Sequence, residues 1–124
     1  MSDKWHFNVD DTSDGIQREL GTGLKQRVYA GEHAMISVIN IEPNVIGKEH
    51  SHPQEQWGFL LEGECVRVQD GEEVAMKKGD FWRTPGNVSH YIITKEKGAK
   101  VIDVFAPPRE DYLKPGSGYG TAKQ

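Results

Sequence analysis

Cysteine is nearly absent. Cys65 stands alone in 124 residues, so no internal disulfide can form, and a reducing, cytoplasmic setting is the default expectation. Basic clusters are also missing, and the net charge is -4. That argues against a nucleic-acid footprint and against binding to an anionic membrane surface. No apolar run is long enough to span a bilayer, and the start carries no signal-peptide pattern. No segment keeps a period of 3.6, no repeat is visible, and no linker divides the chain. Apolar residues make up only 35%, which predicts a thin core in a single domain.

What remains is a series of short strand-like runs separated by turn residues. Met35 to Ile41 is β-branched and apolar on both faces, so it needs cover on both sides. Ile16 to Leu20 reads as a helical turn or a short strand, and Arg27 to Ala30 as a strand. Further strands are expected over Trp57–Glu62, Cys65–Gln69, Glu73–Met76, Phe81–Thr84, His90–Thr94 and Lys100–Phe105. Gly63, Asp70-Gly71, Lys78-Gly79-Asp80 and Pro85-Gly86-Asn87 are expected to turn the chain between them. Short strands with short turns predict an antiparallel all-β sandwich or barrel. Residues 1–14 read as an extended arm, 15–113 as the barrel and 114–124 as a Gly-rich tail or loosely docked arm; Arg109 to Leu113 can make a helical turn. Cys65, within a strand, reads as a buried structural thiol.

The run His50-Ser51-His52-Pro53-Gln54-Glu55-Gln56 carries the chemistry. Side chains alternate along a strand, so His50 and His52 share a face, and Gln56 has the same parity. Two imidazoles and an amide oxygen make half of a metal site, and His90 is the candidate third imidazole. Glu55 has the opposite parity and replaces Gln56 as ligand only if a bulge intervenes. Trp57 and Phe59, also of opposite parity, read as packing or interface residues. His6 and His33 lack partner spacing.

These residues resemble the two motifs of the cupins. The first appears as His50-x-His52, three residues, Gln56, six residues, Gly63; its leading glycine falls at Asn44, with Gly47 nearby. The second appears as Gly79, five residues, then Pro85-Gly86-Asn87-Val88-Ser89-His90, with Asn87 where a second glycine is usual. Asn is the next-best residue for a left-handed turn. The resemblance implies a jelly-roll barrel around one divalent transition metal (zinc, nickel, manganese or iron), held by His50, His52, Gln56 and His90. Gln56 stands where the family usually has Glu. A neutral amide cancels no positive charge, so the ion stays a stronger Lewis acid toward anionic substrates.

The stretch Asp103 to Leu113, with the sequence DVFAPPREDYL, looks like the closing segment of the pectin-degradation cupins, which linearise 4,5-unsaturated uronates. That narrower resemblance implies Asp103, Phe105 and Arg109 in the site. Taken alone, Asp103 reads either as a general acid/base or as a structural partner of Arg83 or Arg109. Arg109 reads as a carboxylate clamp near the mouth or as a solvated cation, and Phe105 as core or as a ring platform. The implied activity is metal-dependent ring opening of a sugar acid. The competing readings are an iron-dependent dioxygenase and a non-enzymatic cupin that binds a metal or small molecule. The implied partner is a small anionic carbohydrate, and the two-faced apolar strand Met35 to Ile41 implies a homodimer.

Overall fold

The computed structural model describes residues 4–119. The strands are β1 (Ile16–Gly21), β2 (Leu24–Ala30), β3 (Met35–Ile41), β4 (Glu55–Gln69), β5 (Glu72–Lys77), β6 (Phe81–Thr84), β7 (His90–Ile93), β8 (Ala99–Ala106) and β9 (Gly116–Ser117). The expected turn after β8 is a 3-10 turn over Glu110–Tyr112. The fold is an all-β jelly roll, as the resemblance implied. All pairings are antiparallel except that of β9, which runs parallel to β1.

The chain is organised around β4. Its first half pairs with β8 on one side and β6 on the other. Its second half pairs instead with β5 and β7. One 15-residue strand therefore serves two sheets, which continue outward through β8, β3, β2, β1 and β9. The two strands expected over Trp57–Glu62 and Cys65–Gln69 are thus one, and Gly63 bends it rather than turning it. Register slips between Leu60 and Glu62, and Gly63 sits at φ 83°. A bulge turns the strand from one sheet into the other, and it also exchanges the faces of the residues beyond it. Gln56, Gly58 and Leu60 face inward before it, and Cys65 and Arg67 face inward after it. Trp57 and Phe59 point outward, as their parity requires.

Gly63 is needed there twice over. Its φ is left-handed, and an added Cβ would collide with the Gly98 carbonyl oxygen. Gly71 has nearly the same φ, 81°, but open space around it. Gly71→Ala is therefore expected to cost only the left-handed penalty, about 1–2 kcal/mol. Gly63→Ala should cost roughly 1–3 kcal/mol more, from the forced displacement. Denaturant melts of the two variants check this, and equal losses would reject the steric part of the argument.

The core is filled by the inward faces of both sheets, including Leu24, Val28, Met35, Leu60, Val101 and Phe105. β8 alternates cleanly: Ala99, Val101, Asp103 and Phe105 face in, and Ile102 and Val104 face out. The segment before β1 lies on its own domain. The Arg27 guanidinium donates to the carbonyls of Val9 and Asp11, and the Phe7 ring sits 5.0 Å from that of Tyr29. Cys65 is buried, and burial pushes its thiol up to about 11, which suits an inert structural role. The ends of the expected arm and tail, residues 1–3 and 120–124, lie outside the described residues.

Candidate metal centre

His50 and His90 meet through their backbones. His50 N–H donates to the His90 carbonyl at 3.1 Å, and His90 N–H returns to the His50 carbonyl at 2.9 Å. The Pro85-Gly86-Asn87 turn brings His90 there. Asn87 adopts φ 66° and donates its N–H to the His52 carbonyl at 2.7 Å, which ties the second motif to the first. Asn44, at the motif position where glycine is usual, likewise adopts a positive φ, 60°. Both asparagines thus take the conformation for which the motif glycines are suited.

The three imidazoles are buried, and their ligand nitrogens lie within 4.8 Å of one another. Each ring is oriented by its other nitrogen. Nδ1–H donates to the carbonyl of Lys48 in His50 (2.9 Å), of Gln54 in His52 (3.1 Å) and of Val88 in His90 (2.8 Å). A carbonyl can only accept, so these bonds fix the tautomer and leave every Nε2 as a lone pair. Burial, reinforced by the Arg109 cation, holds His50 and His52 down to about 4. Burial and the Arg67 cation hold His90 still lower, at about 2. All three rings are therefore neutral near pH 7, the form that binds metal.

These residues fit a divalent ion. His90 Nε2 is buried with no partner. Gln56 Oε1 lies 3.0 Å from His52 Nε2, so two lone pairs converge where a cation would draw both. The Gln56 amide also lowers the Asp103 carboxyl from where burial alone would put it. Its oxygen faces the histidines. A Glu at this position would bring a second carboxylate near Asp103. Glu55 points outward and pairs with Arg83 at 3.6 Å. The strand's bulge lies beyond it, so nothing rotates Glu55 inward.

Residues 37–105 match the cupin domain family. The chain belongs to the cupin family. It is 30% identical over 97 residues to the pectin degradation protein KdgF of Dickeya dadantii, covering 77% of this chain and 88% of that protein. The solved structure of KdgF from a Halomonas species superposes with a TM-score of 0.73 at 22% identity, over 81% of this chain and 93% of that one. An RmlC-like cupin from Shewanella frigidimarina superposes at 0.76 with 27% identity, over 88% and 96%. In a cupin, the three-histidine cluster supports a divalent-metal site.

Asp103 projects into this cupin's barrel from β8, opposite Gly58 of β4. It is 5% exposed, and Oδ1 has no hydrogen-bond partner. Burial raises its carboxyl to about 6, and Arg67 is the cation that most offsets the rise. Arg83, one expected partner, is on the outer face. Phe105 lies edge-on to His52 with ring centroids 5.4 Å apart.

Arg109 is not at the mouth. It is 1% exposed, and the turn after β8 folds it inward over the Tyr112 ring, 4.1 Å from the centroid. Nη1 donates to the Tyr112 hydroxyl at 2.7 Å and Nη2 to the Tyr119 carbonyl at 2.6 Å. Those nitrogens hold the roof of the site, which is a correction to the expected carboxylate clamp.

Two groups escaped the sequence reading. The segment expected to be a tail or a loosely docked arm covers the site: the Tyr119 ring lies 4.1 Å from that of His50. Arg18, buried on β1, fastens this segment by donating to the carbonyls of Asp111, Lys114, Ser117 and Gly118. An arginine between Ile16 and Leu20, at their parity, was the available signal. Arg67 is the second omission, hidden by the bulge. The cavity enclosed by these groups measures about 40 Å³.

Proposed function

We propose that this cupin holds one divalent ion through His50, His52, His90 and Gln56 and opens the ring of an unsaturated uronate. The observation that carries the reading is a buried carboxyl, Asp103, with an unpartnered oxygen and raised to about 6, in the cavity shared with a ligand set without negative charge. Similarity to a protein named for pectin degradation supports the substrate class. The ion, zinc, nickel, manganese or iron, supplies Lewis acidity at a substrate oxygen.

Asp103 takes the proton of the anomeric hydroxyl as the bond between C1 and the ring oxygen breaks. An aldehyde forms at C1 and a ketone at C5, and the C4=C5 electrons take the proton back from Asp103 at C4. Nothing is oxidised. Phe105 lines the sugar site against His52. Arg109 completes the catalytic set as a positioning residue, keeping Tyr112 and Tyr119 over the substrate.

The test is metal analysis of untagged protein, followed by a panel of 4,5-unsaturated uronates monitored by loss of the conjugated chromophore. Turnover with bound metal is expected. Oxygen uptake with iron would instead establish a dioxygenase, and tight binding without turnover a binding protein.

We further propose a homodimer. The face that requires cover is centred on Trp57, Phe59 and Phe81, exposed by 39%, 39% and 58%. Ile36 of β3 is also exposed on its outward side. Light scattering at increasing concentration should give twice the 13.9 kDa chain mass; a constant monomer would remove the dimer and leave the site reading intact.

A further inference from the structure

Among the described residues, Arg67 is a buried cation without an ion pair. It is 6% exposed and lines the cavity together with His90, Asp103 and Trp82. Its one side-chain hydrogen bond runs from Nη2 to Thr84 Oγ1 at 2.9 Å, and Thr84 passes its own proton to Gln69 at 2.6 Å. Neither partner is charged. Asp103 offsets Arg67 only through space. A buried guanidinium usually sits in a bidentate pair with a carboxylate or phosphate, because its desolvation is costly.

Its own Nε and two polar atoms of neighbouring side chains are equally unmatched: Arg67 Nε, Trp82 Nε1 and Asp103 Oδ1 are all buried without a partner among the described residues. The backbone explains why they gather. Trp82 on β6, Gly58 on β4 and Asp103 on β8 are register neighbours across three strands. A Cβ on Gly58 would collide with the Trp82 indole, so the missing side chain is what lets the indole lie across β4. The Arg67 guanidinium lies 5.6 Å from the centre of that indole. Two donors and one acceptor therefore belong to side chains that line one small cavity, and none of the three has a partner among the described residues. Buried polar groups are rarely left this way without a ligand to meet them.

We propose that Arg67, with the Trp82 indole N–H beside it, binds the carboxylate of the substrate. The proposal rests on the sugar-acid reading above and assigns its acid group to a residue outside the expected set. Arg109 does not serve instead, because both its terminal nitrogens already donate to Tyr112 and Tyr119. A carboxylate on Arg67 would leave Asp103 beside the sugar ring, where the proton has to move. It would also supply negative charge that the neutral ligand set lacks.

The test uses metal-loaded protein and two unreactive probes, galacturonate and its neutral amide, with affinity read by calorimetry. Wild type should prefer galacturonate. Arg67→Gln should weaken galacturonate by roughly 30- to 4,000-fold, the usual range for losing a buried charge partner. The amide's affinity and the metal content should not change. Arg67→Lys should fall between, because it keeps the charge and loses the fork. If Arg67→Gln fails to fold, Arg67→Met and the wild-type comparison of the two probes decide. Equal wild-type affinity for acid and amide overturns the proposal, as does a folded Arg67→Gln or Arg67→Met that binds galacturonate normally. Galacturonate binding that depends on Arg67, without turnover of any unsaturated uronate, supports this contact and removes the ring-opening reading. Turnover with an unchanged KM in Arg67→Gln does the reverse.

Discussion

His52→Ala is expected to abolish stoichiometric binding of a divalent ion. His52 is 1% exposed and stands between the other ligands: its Nε2 faces Gln56 Oε1 at 3.0 Å, and its ring lies 5.0 Å from that of His90. Changing groups that merely orient ligands costs about 10–100-fold in metal affinity, so losing a ligand itself should exceed that. Two readouts check the result. Elemental analysis after dialysis should fall from one ion per chain to a trace. Metal should also stop protecting the fold: at a concentration 100 times the Kd, a bound ion stabilises by about 2.7 kcal/mol, and the variant should lose that increment. Unchanged metal content in His52→Ala would sink the assignment of all four ligands. Loss of metal with an unaltered melting curve in its absence would tie the effect to the site rather than to folding.

Asp103→Asn is expected to lower turnover by roughly 10²–10⁴, the usual contribution of a positioned acid/base. The substitution keeps the shape of the side chain. It also leaves His52 Nε2 and Gln56 Oε1 facing each other, so the ligand geometry should survive. What it removes is a carboxyl that burial has raised to about 6, close enough to neutrality to take and return a proton. Affinity for an unreactive uronate and metal content should therefore change little while kcat falls. Full activity in Asp103→Asn would end the proton-transfer role. Loss of metal together with activity would show that Asp103 acts only by holding Gln56.

Much of this was legible in the residues because strand parity is a strict rule. Trp57 and Phe59 were expected on the face opposite Gln56, and the structure places them so. His50 and His52 also converge with Gln56, but from a loop, since residues 51–54 form no strand. Asp103 and Phe105 stand two and four residues after Val101, so alternation puts all three on one face, and all three face the barrel. The left-handed turn at Asn87 was read from a substitution that keeps the conformation. The failures also have physical causes. Gly63 signals a turn when read locally, and only the pairing of β4 with four other strands shows that it bends a continuous one. A polar, Gly-rich segment reads as a tail because nothing local holds it. Its anchor, Arg18, lies 93 to 100 residues earlier, beyond any local pattern. Arg109 follows the last long strand and read as a clamp near the mouth or a solvated cation, yet the 3-10 turn after it leaves it buried.

The irregularity between Leu60 and Glu62 has a consequence for how this barrel could change. It acts as a phase shift in a two-beat count: upstream the even positions look inward, downstream Cys65 and Arg67 do. Glu62 and Gly63 already stand opposite Lys100 and Ala99, so deleting Leu61 would straighten the strand and leave Cys65 and Arg67 facing inward. Ironing out the irregularity with Leu61 retained would do the opposite, turning Arg67 outward and bringing Val66 inside. One extra residue is thus what lets a strand that begins with even positions inward present an odd-numbered arginine to the barrel.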